Sequence, residues 1–316
     1  MEHRKFKTRV KELVDELTAA QAQKLISALR ERGNGDEVVE LIEPRLGDEP
    51  QCPHCGKLHV HRHGHAHGLQ RYKCVDCDKT FNALTGTPLA RLRKKESWLS
   101  YADALKSTMS VRKAAKHAGV HKTTSFRWRH RFWKSQNTSK DKPLSGIAEM
   151  DEFFILESRK GERKLPRKAR KRGGKAKKPG LSSEQVPVLI ARDRQGNMID
   201  AVLPDRSEAA VRNVLKGAIS KDDTLLCMDA DPAFIAFAEA ENIEYELIIA
   251  SHGEHVHEKV LHIQNVNGYI RRFRQWLDPF NGVATKYLPS YVGWCRWLEQ
   301  SGASLTAQGC LAAAIA

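Results

Sequence analysis

Along the first 33 residues apolar positions recur at helical spacing: Val10, Leu13, Val14 and Leu17, then Leu25, Ile26 and Leu29, with an interruption at Thr18. Apolar residues returning every three or four positions line one helix face, and a threonine between two such runs suits an N-cap. The pattern predicts two short helices within 6–33, inside a helical N-terminal segment, 1–45. The helical period returns from Ser110, where Ala114, Ala115 and Ala118 precede a turn at Gly119-Val120. A second helix opens at His121 and carries Trp128 and Phe132 one turn apart. Small alanines let the two helices cross closely, and the glycine permits the turn. Trp98, Leu99, Tyr101 and Leu105 predict one helix ahead of this pair, within 94–134. Beyond a polar linker, 135–144, the pattern changes to short apolar runs, IAEMDEFFIL, VPVLIARD and MIDAVL. These read as three strands of an antiparallel meander. A helix (208–219), the strand TLLCMDAD, a helix (232–241), the strand YELIIA and a long helix from about 264 to 276 follow.

Composition narrows the class of partner. The 316 residues carry 53 Lys and Arg against 38 Asp and Glu, a formal charge of +15, as expected of a protein that binds a polyanion. Double-stranded DNA is the first partner to expect. No apolar run reaches the roughly 18 residues of a membrane span, and the opening MEHRKFKTRV lacks the apolar stretch of a signal peptide. The expected location is the cytoplasm, on the nucleoid, with no membrane partner.

Four of the seven cysteines form two Cys-x-x-Cys pairs, Cys52 with Cys55 and Cys74 with Cys77, eighteen residues apart. Thiolates at i and i+3 on a tight turn can face one ion, and two such knuckles close a tetrahedral site. A structural Zn²⁺ in a zinc ribbon, 46–93, is therefore expected; two redox-active pairs would need a thioredoxin-like strand-helix context that is missing. The histidines from His59 to His67 read as a solvated basic hairpin touching phosphate, with a second metal site as the other reading. Within 94–134 the layout is that of a helix-turn-helix. His121, Lys122, Thr123 and Arg127 are expected to meet base edges, with Arg129 and Arg131 neutralising phosphates; an ordinary helical hairpin is the alternative.

The order β-β-β-α-β-α-β-α over 145–300 is that of an RNase H-like α/β domain with a mixed sheet, leaving 301–316 as a C-terminal tail. That topology sets the middle of the first strand beside the end of the fourth, and so Asp151 beside Asp229. Each interrupts an apolar strand, where an uncompensated carboxylate is costly. Paired carboxylates facing hard cations are what metal-assisted phosphoryl transfer uses. Asp231 could replace Asp229, although its place before Pro232 suits a helix N-cap. The insertion 159–180, rich in Lys, Arg and Gly, is too charged to fold alone and reads as a DNA phosphate contact.

The stretches GIAEMDEFF, CMDADPAF and HIQNVNGYIRRFRQWLDPFNGVATKYLPSYVGW resemble, in order and phrasing, the DDE-type transposases of the insertion-sequence family numbered fifteen ninety-five. Zinc ribbon and helix-turn-helix ahead of them match that architecture over roughly 45–300. The resemblance implies a transposase binding terminal repeats and target DNA, with two catalytic Mg²⁺ or Mn²⁺ ions and a homodimer or larger assembly at synapsis. Its acidic residues fall on Asp151 and Asp229. The third ligand falls on Asn267, where the family uses Glu or Asn, and Arg274 stands where it usually shows Lys. His262 and Asn265 match the family's phrasing and imply help in positioning a ligand or phosphate. A non-catalytic DNA-binding regulator or decayed transposase is the alternative, since a neutral third ligand weakens metal affinity.

Overall fold

The computed structural model describes residues 3–136, 142–168, 170, 174, 176, 177, 182, 184–249 and 260–316. They divide into two units, 1–132 with 306–316, and 133–305. In the first unit α1 (His3–Glu16) leads to α2 (Ala19–Ile42). Thr18 caps α2 as its position suggested: its hydroxyl accepts from the Gln21 amide, and the Gln21 side chain accepts from the Thr18 amide at 2.9 Å. The helix runs nine residues past the expected end and continues through Gly33 and Gly35. Packing overrides their poor propensity, because Val38 and Ile42 near the far end are fully buried. There α2 lies so close to the Gly68 turn that a Cβ at Gly68 would sit 3.3 Å from the Val39 side chain.

Strands β1 (Val60–Ala66), β2 (Leu69–Cys74) and β3 (Thr80–Phe81) form a small antiparallel sheet. Helices α3 (Trp98–Lys106), α4 (Val111–His117) and α5 (Lys122–Phe132) follow. Ser110 caps α4, and Gly119 takes a left-handed φ of 63° in the turn between α4 and α5. Trp98, Tyr101, Trp128 and Phe132 bury an aromatic cluster, with the Tyr101 and Trp128 rings 5.3 Å apart and edge-on.

The second unit is built on β4 (Leu144–Leu156), β5 (Gln185–Asp193) and β6 (Met198–Val202), an antiparallel meander. Then come α6 (Glu208–Leu215), β7 (Ile219–Met228), α7 (Pro232–Glu241), β8 (Glu244–Leu247), α8 (Gln264–Leu277) and α9 (Leu288–Ser301). The sheet order is β6-β5-β4-β7-β8, with β4, β7 and β8 parallel. Element order through α8 is the one expected from the pattern of apolar runs. The expected helix 208–219 is shorter, since Ile219 already pairs with Leu144 in the ladder.

Alternation along β4 sends its residues to opposite faces. Ala148 and Met150 join Leu226, Met228, Phe234 and Phe237 beneath α6 and α7. Phe153 packs with Val266, Tyr269, Ile270 and Phe273 of α8 and with Val292 of α9. Asp200 on β6 is fully paired inside: Arg296 of α9 bonds one oxygen and the Tyr269 hydroxyl donates to the other at 3.1 Å. Such a pair fixes which faces of α8 and α9 meet the sheet.

The expected C-terminal tail is corrected. Residues 307–315 form α10 (Ala307–Ile315), capped by Thr306. Cys310, Leu311, Ala314 and Ile315 are buried, and α10 packs on α3 and α5 of the first unit. Its alanine-rich sequence shows no polar face from which such packing could be read.

Candidate active site

Asp151 and Asp229 each stand one step beyond the Met150–Met228 pair of the β4–β7 ladder. Phe153 of β4 packs on α8, while Cys227 of β7 packs with Ile147 of β4 and with Leu261 and Ile263 just ahead of α8; Asp151 and Asp229 continue these odd positions, and the charge of Asp229 reaches Asp151. Backbone amides hold them: Glu152 donates to Asp151 Oδ1 at 2.7 Å, and Asp231 donates to Asp229 Oδ1 at 3.3 Å. Burial is the main force on Asp151 and raises its carboxyl to about 7; the charges of Asp229 and Glu152 push the same way, and Arg274 opposes them. Burial, with Asp231 nearby, also raises Asp229, while the Asp231 amide and Arg206 lower it. Two carboxylates that repel one another in a half-buried place, with oxygen donors only, have the chemistry of a divalent-cation site.

Above the pair runs α8. Val266, Tyr269, Ile270 and Phe273 are its buried stripe. Arg274 is exposed beside it, its guanidinium carbon 5.5 Å from the Phe153 ring centroid. Asn267 lies two turns before Arg274 and is exposed, its backbone amide donating to the Ile263 carbonyl at 3.0 Å. The structure thus brings Asp151, Asp229 and Arg274 together, while Asn267 stands at the start of the helix above them. Asp231 is the N-cap of α7, accepting from Ala233 at 2.8 Å.

Sequence reasoning missed two anchors of this site. Glu149, on the same face of β4 and two residues before Asp151, has no exposed surface. Its carboxylate accepts from the Val266 amide at 3.0 Å and from Asn265 at 2.8 Å, and pairs with Arg194 at 2.5 Å and His262 at 3.4 Å. The start of α8 is therefore pinned to β4, and His262 and Asn265, expected near a ligand or phosphate, contact Glu149. The signal was a second carboxylate at i−2 on a strand whose alternate residues share a face. On the opposite face Arg206 pairs with Glu152 at 2.6 Å and with Asp231. That ties the N-cap of α7 to β4; single-sequence patterning carries no trace of it.

Cys52, Cys55, Cys74 and Cys77 converge, their sulfurs all within 4.8 Å of one another. Cys52 to Cys77 is 3.7 Å and Cys55 to Cys74 is 3.6 Å, close to the edge of about 3.8 Å that a tetrahedron of 2.3 Å Zn–S bonds requires. Burial works against the Cys52 thiolate, but the His54 and Cys55 amides and the neighbouring thiols outweigh it and bring the group to about 7. Cys227, Cys295 and Cys310 are buried.

Residues 143–299 match the ISXO2-like transposase domain. The domain over these residues belongs to this transposase family. The chain is 28% identical over 257 residues, covering 80% of this chain and 86% of the relative, to a protein of Halobacterium salinarum described as an uncharacterized protein in transposable element ISH50. Among solved structures it is similar to a pre-cleavage Mos1 transpososome at 14% identity, over 68% of this chain and 78% of that one, with a TM-score of 0.26. A Mos1 strand transfer complex matches with a TM-score of 0.23 over 69% of this chain and 78% of that one, again at 14% identity. Superpositions this loose carry nothing over to the present chain.

Of the residues expected to meet DNA, His121 just ahead of α5 and Lys122, Thr123 and Arg127 on it are exposed. Arg129 is not available for phosphate. It is wholly buried and donates to the Met109 carbonyl at 2.5 Å. Ser125, Trp128, Arg129 and Phe132 fall at i, i+3, i+4 and i+7, the spacing of one buried stripe, so the helical period itself carried that signal. Arg131 is half-buried and bonds the Pro88 and Ala90 carbonyls, a bracing role for a side chain expected on phosphate. The basic insertion lies partly outside the described residues. Within them Arg159 and Arg167 pair with Glu157, and Arg170 pairs with Glu184 at 2.8 Å.

Proposed function

We propose that this chain is the transposase of an insertion sequence, binding the element's ends and carrying out metal-dependent strand cleavage and strand transfer on an RNase H-like domain. The observation that carries the reading is the pairing of Asp151 and Asp229 at matching positions of adjacent parallel strands beneath α8. In this reading Asp151, Asp229 and the amide oxygen of Asn267 hold two Mg²⁺ or Mn²⁺ ions, and the neutral amide coordinates without adding charge. Bound there, the ions would stabilise the attacking and leaving oxygens of an in-line displacement at phosphorus. Arg274, beside Asp151, offers a cation to a DNA phosphate, and Glu149 holds the helix that carries Asn267 and Arg274.

Helices α4 and α5 are read as a helix-turn-helix whose exposed His121, Lys122, Thr123 and Arg127 meet base edges in the major groove. The four cysteines are read as a structural Zn²⁺ site that supports the small sheet β1–β3. Two ends must be held together for transfer, so a homodimer or larger assembly on DNA belongs to the same reading.

The test is an assay of nicking and joining on DNA carrying the gene's own flanking sequences, with Mg²⁺, Mn²⁺ or EDTA. Metal-dependent nicking at the element ends, abolished by Asp151→Ala and by Asp229→Ala and reduced at least tenfold by Asn267→Ala, is the expected result. End-specific binding with no cleavage under any divalent metal would favour a DNA-binding regulator instead.

A further inference from the structure

Between α2, the Gly68 turn and the segment leading into α3 lies a cleft of about 1570 Å³, wholly within the first unit. Six Lys and Arg line it against two carboxylates, Asp36 and Glu96. Its floor is a chain of tight turns. The amides of Thr87, Ala90, Leu92 and Ser97 donate to the carbonyls of Leu84, Thr87, Leu89 and Lys94 at 3.0–3.2 Å, and Leu84, Leu89 and Trp98 are buried beneath. Lys95 clips this segment to the hairpin turn through the His67 carbonyl at 2.8 Å. The loop is thus fixed before any ligand arrives.

Three basic side chains on it, Arg91, Arg93 and Lys94, are exposed and make no ion pair among the described residues. Arg91 and Lys94 adopt left-handed φ values of 63° and 60°, a conformation that costs a long side chain and suits glycine. Among the described residues no hydrogen bond or ion pair to either side chain offsets that cost. Strain retained where the side chain meets no partner points to a ligand, and a cation on a fixed loop recovers the cost only against an anion.

Resting on the reading of the chain as a DNA-binding transposase, we propose that this loop is a second DNA contact, in which Arg91, Arg93 and Lys94 grip the phosphodiester backbone beside the segment read by α5. Arg131 of α5 lines the same cleft and lies nine residues beyond Lys122, about 13 Å along the helix. That distance spans roughly four base pairs of duplex, so one short stretch of DNA reaches both places. An acidic protein segment is the competing occupant; the exposed polar residues of α5 in the same unit favour the duplex.

The test uses the full chain loaded with zinc and follows binding by fluorescence anisotropy across a salt series. The three probes are a duplex of the element end, an unrelated duplex of equal length and, for the competing acidic occupant, polyglutamate. The triple variant Arg91→Gly, Arg93→Ala, Lys94→Gly removes the charges while glycine relieves the left-handed positions, so its Tm stays level or rises. The slope of log K against log salt is expected to become shallower by about 2 to 3 on both duplexes, with the preference for the element end kept. An unchanged slope in a folded variant overturns the proposal and leaves the transposase reading intact, as does loss of binding to a polyglutamate probe alone. If the unmodified chain binds neither duplex, the DNA reading falls and this inference with it.

Discussion

Asp151 is where sequence and physics meet most directly. A carboxylate interrupting an apolar strand was legible because such a group needs compensation, and in the folded chain burial raises it to about 7 from an ordinary 3.8. Because the folded value is the higher one, the neutral acid favours the folded chain. That contribution is fully present below the unfolded value and is lost as pH rises through about 7. Asp151→Asn keeps the shape and removes the titration. The metal-free variant is expected to be more stable than the parent by on the order of 2–4 kcal/mol at pH 8, a Tm gain of several degrees that narrows toward pH 5. Thermal unfolding in EDTA at the two pH values checks it, and an equal difference at both would mean Asp151 is not the group responsible. Adding Mn²⁺ at pH 8 is expected to stabilise the parent and not the variant.

At the scale of elements, the two-residue alternation of the strands made the meander and the β4–β7 pairing readable, because each strand has a helix layer to meet on either side. What was not readable is how the start of α8 is held to β4. That depends on Glu149, whose partners lie more than forty residues away in Arg194, His262, Asn265 and Val266, and no local pattern encodes such a contact. Arg129 went astray for a different reason: a charge in a basic helix was read as phosphate-facing although its place on the Trp128–Phe132 stripe puts it inside. Glu149→Gln weakens the hold on α8 without touching the carboxylates themselves. Hydrogen exchange at the Val266 and Asn267 amides is expected to quicken at least tenfold, and Mn²⁺ affinity to fall by about 10- to 100-fold, the usual effect of losing a group that orients a ligand. Unchanged exchange together with unchanged affinity would show that α8 is held by its apolar stripe alone.

For the whole molecule, the chain order misleads in one place. Reading along the sequence puts the first unit's boundary near residue 134 and treats the last residues as a tail, because small apolar residues without a polar face give no periodic signal. The fold instead returns α10 to the first unit, where Cys310, Leu311, Ala314 and Ile315 are buried against α3 and α5 and the Arg45 guanidinium donates to the Ile315 carbonyl at 2.9 Å. A fragment of residues 1–134 should therefore fold poorly: removing α10 uncovers apolar surface over the α3–α5 cluster, and deleting one large buried side chain alone costs about 2–5 kcal/mol. The expected result is a fragment with its helices largely present by far-UV circular dichroism but a broadened, low thermal transition. A synthetic peptide of residues 303–316, added in trans, should sharpen and raise that transition, and the same peptide with Leu311→Asp should not. Residues 133–305, which keep every element of the five-stranded sheet, should melt cooperatively without the peptide. If the 1–134 fragment melts as sharply and as high as the first unit does in the full chain, α10 is a passenger and the sequence-derived boundary is the physical one.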